Sequence, residues 1–354
     1  MPFRPLCILL ALAACGVPDA GQTVDLPASS CAGAKGPPGT VDADLARLRR
    51  EGAVTVTRTE PGYGGTFGLA ARNGEVIIPA TYDRIDFWGA EAAPLFRAKC
   101  GAKHGYLGPD GREVIPVAFD GVWEESEGLI GVWRDAAPLR GRLRDQAGFV
   151  DDRGRWAVAP IYDHVSPFEA GTARVVRDGY AGLIGRSGQV VLPLDRYVGL
   201  SPALGGHRSA TLPDGRVGIV DARGRETVAP TFASVHLAGN GLATASLPAG
   251  RFADAEAFLR EGAWGVITVD GEVVVPFEHE GLQLIYPIGP DHPWGGFAER
   301  TGRDLIAFSY GQDAEGRDTS FQIVGRGGAP LTDRWPSLEA WAAAGRPLAG
   351  GAAD

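Results

Sequence analysis

Short apolar runs recur along this chain, each set between a turn-forming pair and a proline. They read Val76-Ile77-Ile78-Pro79, Val114-Ile115-Pro116, Val190-Val191-Leu192-Pro193 and Val273-Val274-Val275-Pro276. The pairs ahead of such runs are Asn73-Gly74, Asp110-Gly111, Arg153-Gly154, Ser187-Gly188, Arg223-Gly224 and Asp270-Gly271. Glycine takes positive φ without strain, so these pairs predict tight hairpin turns. Six residues before each turn glycine stands another: Gly68, Gly105, Gly148, Gly182, Gly218 and Gly265. Eleven or twelve residues after that first glycine comes Pro79, Pro116, Pro160, Pro193, Pro230 or Pro276. The pattern predicts strand, tight turn and strand, six times over. Unbroken apolar runs predict strands covered on both faces, and proline, which cannot donate to a ladder, is expected to end each one.

Successive first glycines are 37, 43, 34, 36 and 47 residues apart, the step of a tandem-repeat protein. Fourteen residues after the first glycine stands an aromatic, Tyr82, Phe119, Tyr162 or Phe232, followed in three copies by Asp83, Asp120 or Asp163. A further strand then leads back, as in residues 171–176 and 241–245. Outside the phrase, residues 53–57 alternate like a strand, and Thr40 is placed to cap a short helix ending at Gly52. Residues 253–262 have helix-like composition and read as an insertion, residues 321–331 read as a degenerate seventh copy, and a helix is expected from Pro336 to Ala344.

This pattern resembles the WG repeat family of bacterial proteins, best in Phe168 to Pro193 and over about Thr66 to Tyr286. Trp264-Gly265 keeps the Trp-Gly pair; elsewhere Phe67, His104, Ala147, Ala181 or Val217 precedes the glycine. The resemblance implies a repetitive all-β scaffold, often exported and presumed to bind partners, with no common catalytic residues. The fold expected is all-β, with six or seven small antiparallel sheets in a β-propeller, or alternatively an open β-solenoid. Closure would need strand 53–57 to pair near the last sheet.

The N-terminus adds an address. Arg4 precedes an apolar run from Leu6 to Ala14, too short to span a bilayer and typical of a secretory signal. It ends Leu12-Ala13-Ala14-Cys15-Gly16, which resembles a bacterial lipobox whose cysteine is acylated. The chain then divides into a signal peptide (1–14), a lipidated flexible tether rich in Gly, Pro, Ser and Ala (15–40), the repeat domain (41–335) and a C-terminal helix and tail (336–354). Membrane attachment through the lipid on Cys15 follows, with the protein facing the periplasm or the cell surface. Cys31 and Cys100 remain as a pair for a disulfide, which would stabilise an exported chain by about 4 kcal/mol.

Candidate chemistry is sparse. A net charge of −9 argues against a nucleic-acid partner. The six histidines share no metal-ligand spacing, no nucleophile elbow is present, and neither cofactor nor metal is implied. Glu124-Glu125 and Asp151-Asp152 could do acid–base work only across a cleft. Asp83, Asp120 and Asp163 either form a ladder for a cationic ligand or close turns with their side chains. Trp88 and Trp123 fall in repeat-joining segments and either pack between repeats or form a binding surface for glycan or protein. These readings point to a non-enzymatic binding or scaffolding lipoprotein of the envelope. The alternative is an envelope glycan hydrolase or lyase built on a propeller.

Overall fold

The structure is a computed structural model and describes residues 25–31, 54–58, 66–71, 73–87, 95–108, 110–134, 146–238, 241–248, 261–284, 307–312, 318–324 and 326–344. The lipobox, the helix expected from Thr40, the segment 253–260 and Trp88 lie outside them. Among the described residues the protein is all-β apart from a 3-10 turn, Arg326–Gly328, and one short helix, α1 (Leu338–Ala343).

Among the described residues the strands form seven small antiparallel sheets taken in chain order. The first holds β1 (Val54–Arg58), β2 (Phe67–Ala71) and β3 (Val76–Tyr82). The second holds β4 (Arg84–Phe87), β5 (Phe96–Cys100), β6 (Lys103–Leu107) and β7 (Glu113–Phe119). The third holds β8 (Gly121–Val122), β9 (Leu129–Arg134), β10 (Gln146–Asp151) and β11 (Trp156–Tyr162). Next come β12 (His164–Glu169), β13 (Thr172–Arg177), β14 (Tyr180–Gly185) and β15 (Val190–Tyr197). The fifth sheet is β16 (Gly199–Leu200), β17 (His207–Thr211), β18 (Val217–Asp221) and β19 (Glu226–Phe232). The sixth is β20 (Ser234–Leu237), β21 (Leu242–Pro248), β22 (Glu261–Thr268) and β23 (Val273–His279), and the last β24 (Gly281–Leu284), β25 (Ala307–Gln312) and β26 (Asp318–Val324). The predicted strand near 53–57 is β1, and it pairs with β2 inside the first sheet. Residues 261–262, read from composition as helical, begin β22. The chain divides into two compact units, residues 1–122 with 148–160, and residues 123–147 with 161–354.

All six predicted turn glycines have positive φ, from 73° at Gly154 to 93° at Gly271. Two have a second reason to be glycine. A Cβ on Gly224 would lie 2.5 Å from the Val191 carbonyl oxygen, and one on Gly111 2.4 Å from the Ile78 side chain. In these copies the turn lies against the apolar strand of the preceding repeat.

Two expectations about that apolar strand are corrected. The proline does not end it: Pro79, Pro116, Pro160, Pro193, Pro230 and Pro276 all lie inside their strands. Each sits on the last strand of its sheet, where no ladder partner is required on one side, and the register shifts beside it. Nor are both faces covered. β15 runs from exposed Val190 to buried Leu192, and Val76 is 62% exposed; β7 is buried throughout.

The register shift explains the first glycine. Ten residues after it, a carbonyl oxygen packs so closely that a Cβ would meet it at 2.4 to 2.7 Å. The pairs are Gly68 with Ile78, Gly105 with Ile115, Gly148 with Val158, Gly182 with Leu192, Gly218 with Val228 and Gly265 with Val275.

In the first unit, residues assigned by composition to the tether are held in place. The Ser30 N–H donates to the Val117 carbonyl at 3.0 Å. Ser29 donates to buried Glu113 at 2.8 Å, and Cys31 is bridged to Cys100 with their Cα atoms 5.7 Å apart.

Candidate functional site

The residue after the conserved aromatic is the joint between one sheet and the next. Its N–H bonds into the following sheet: Asp83 to the Lys99 carbonyl, Asp163 to that of Val176, Val198 to that of Thr211 and Ala233 to that of Ser246. Two of the aspartate side chains serve the same joint. Asp83 accepts from the Gly101 N–H at 2.5 Å, Asp163 from the Asp178 N–H at 2.6 Å, and Asp120 pairs with Lys103 at 2.5 Å. Asp83 and Asp163 thus hold hairpin turns of the following sheet, while Asp120 makes an ion pair with β6 of its own sheet. Asp151 likewise accepts from the N–H groups of Arg153 and Arg155, and Glu125 from that of Gly128. Among the described residues no three His, Cys, Asp or Glu side chains are placed to hold a metal ion.

Trp123 has a different setting. It follows β8, and its indole N–H donates to the Val165 carbonyl at 2.8 Å, which fixes the ring between successive repeats. Trp133 on β9 approaches it at 5.5 Å between ring centroids, tilted 47°, and His164 lies edge-on at 6.3 Å. These three rings, with Ala147, Asp163 and Val165, line a cleft of about 160 Å³ within the second unit. Trp123 and Trp133 are half-buried, and His164 is exposed at the mouth.

Ala147 lines the opening. It holds the place before the first glycine that Trp264 holds in the sixth copy. Trp123 is the third residue from its sheet's start, as His236 is in the sixth sheet. There the Trp264 indole stacks on His236, 5.8 Å between centroids and 12° from parallel, and packs on a core of Leu242, Val266 and Val275. Where Trp264 fills the position with its own ring, Ala147 supplies a methyl group, and two tryptophans wall the space left.

The sequence picked out Trp123 and Asp163 but missed Trp133, Ala147 and His164. Alignment of Ala147 with Trp264 carried the missing signal. It also missed Tyr197 and His279 as members of the aromatic column: they pair with Ala181 and Trp264 as Tyr82 pairs with Phe67. Tyr197 stands fifteen residues after its glycine because β15 is one residue longer than β3.

The family model described as the WG containing repeat matches at three places, residues 67–103, 105–132 and 148–180. No curated protein matches the chain. Solved structures similar to it include a eukaryotic initiation factor, at 10% identity and TM-score 0.42, covering 81% of this chain and 77% of that one. BamB from Moraxella catarrhalis is similar at 12% identity and TM-score 0.33, covering 80% and 89%. AztD from Citrobacter koseri is similar at 13% identity and TM-score 0.35, covering 85% and 86%.

Proposed function

We propose that this chain is a non-catalytic binding module of the bacterial envelope, anchored by lipid at Cys15, and that the Trp123–Trp133 cleft holds its ligand. The single observation behind this reading is the cleft that opens where Ala147 stands at the position that Trp264 holds in the sixth copy. A rigid aromatic wall loses little conformational entropy when a flat, partly apolar group stacks on it. Asp163 and His164 add polar atoms at the rim. A sugar ring has the flat face and hydroxyl edge that such a site suits, and glycans abound in an envelope.

The enzyme reading has less support. Glycoside hydrolysis ordinarily uses two carboxyl groups about 5–9.5 Å apart. Among the described residues the cleft is lined by one, Asp163, and that carboxylate is engaged by the Asp178 N–H. Calorimetry with soluble envelope glycan fragments tests the proposal. Trp133→Ala is expected to cost about 2 kcal/mol, roughly thirtyfold in Kd, the scale of an interfacial tryptophan hot spot. Glycan turnover abolished by Asp163→Asn would instead establish the enzyme.

A further inference from the structure

A second cleft lies in the first unit, on the sheet of β4 to β7. It measures about 200 Å³ and is lined by Arg84, Asp86, Arg97, Ala98, Lys99 and His104. Arg84 stands directly opposite Lys99, and Lys99 directly opposite His104. Like charges directly opposite one another destabilise a strand pair, so this row needs another reason to be tolerated. Asp86 supplies part of it, since Arg84 Nε holds it at 2.6 Å. Arg97 has its guanidinium 3.5 Å from His104 Nδ1. Among the described residues neither Arg97 nor Lys99 has a carboxylate within ion-pair distance. Three cations and one carboxylate leave two positive charges here, in a chain whose net charge is −9. His104 reports the same field: burial, then Arg97 and Lys99, push it below its ordinary 6.5 against the opposing pull of Asp120.

We propose that this cleft binds a phosphate dianion, with Arg97 and Lys99 as its principal ligands. A guanidinium presents a planar fork to two phosphate oxygens, while an ammonium adds a compact charge. The neighbouring strands β5 and β6, paired along their whole length, hold the site rigid. The dianion comes either from a soluble phosphate compound or from a phosphomonoester lipid headgroup, as in phosphatidic acid, and the charge match is the same for both.

The test uses the full chain carrying Cys15→Ser, so that no acyl chain confounds membrane binding. Calorimetry with inorganic pyrophosphate is run beside co-sedimentation with vesicles containing phosphatidic acid. Arg97→Gln/Lys99→Gln is expected to lower affinity for the bound probe at least tenfold. Arg155→Gln/Arg225→Gln, which removes equal charge from exposed turns, should leave it unchanged. Saturable pyrophosphate heat assigns the site to a soluble phosphate; retention on vesicles alone assigns it to a headgroup. Equal weakening in both double variants, or no saturable binding to either probe, overturns the proposal. Should the first double variant fail to fold, ring resonances of wild-type His104 decide. The binding probe is expected to shift them saturably and raise the ring's pKa, and an unmoved His104 contradicts the site.

Discussion

Gly68 and Gly74 belong to one copy of the repeat and are glycine for different reasons. At Gly74 φ is 85° and a Cβ would meet nothing within 4 Å; at Gly68 it would lie 2.4 Å from the Ile78 oxygen and 2.8 Å from the Ala80 nitrogen. Gly74→Ala is therefore expected to cost about 1–2 kcal/mol, the penalty of a left-handed conformation. Gly68→Ala forces backbone apart and should cost at least about 3 kcal/mol, the upper end of ordinary overpacking. Urea unfolding of the two variants checks the order; equal midpoints would deny the close approach. The turn role was legible from the sequence, because Asn-Gly and Asp-Gly pairs carry their own conformational preference. The first glycine's role was not, because it depends on a carbonyl ten residues away.

At the level of elements, strands and turns were legible and the seams between repeats were not. A conserved aromatic of one copy clasps a glutamate of the next: Tyr82 donates to Glu113 at 3.3 Å and Tyr197 to Glu226 at 2.6 Å. Burial, then the glutamate hydrogen bond and charge, push the Tyr197 hydroxyl up to about 12. Glu113 is 2% exposed, and burial raises it above its ordinary 4.5 despite hydrogen bonds from Ser29, the Val117 N–H and Tyr82. In the folded chain this carboxyl thus keeps its proton to a higher pH than in the unfolded chain. Its contribution to stability is full below the unfolded pKa and is lost as pH rises through the folded one. Stability should accordingly decline as pH rises above about 4.5, and Glu113→Gln should flatten that slope in melting curves. An unchanged slope would mean that Glu113 titrates as it does in the unfolded chain. Little in the glutamate's own surroundings in the sequence announced this, since its two side-chain partners lie 31 and 84 residues away.

At the scale of the whole chain, composition marked residues 15–40 as tether, yet residues 25–31 are pinned by Glu113, Val117 and Cys100. Nine residues then lie between Cys15 and Asp25, a reach of at most about 35 Å over the ten steps when fully extended. Low-complexity composition hid this docking because the stitching atoms are a hydroxyl, a main-chain N–H and one sulfur. The proposed anchor predicts that Cys15→Ala moves the protein from the membrane fraction to the soluble one or leaves it unprocessed. Unchanged fractionation would remove the lipid from the account. Function was the least legible of all, because the cleft sits where one copy lacks the indole that Trp264 supplies in another.

That missing side chain gives the most direct test. Ala147→Trp restores the residue that the sixth copy has as Trp264 and places an indole in the Trp123–Trp133 cleft. Calorimetric titration of wild type and Ala147→Trp with the same envelope glycan fragments should show saturable binding by the wild type and none by the variant. The variant's melting temperature should be no lower than that of the wild type, because the indole occupies existing space. Equal binding by the two proteins, or none by the wild type, would contradict the claim that this cleft is the binding site.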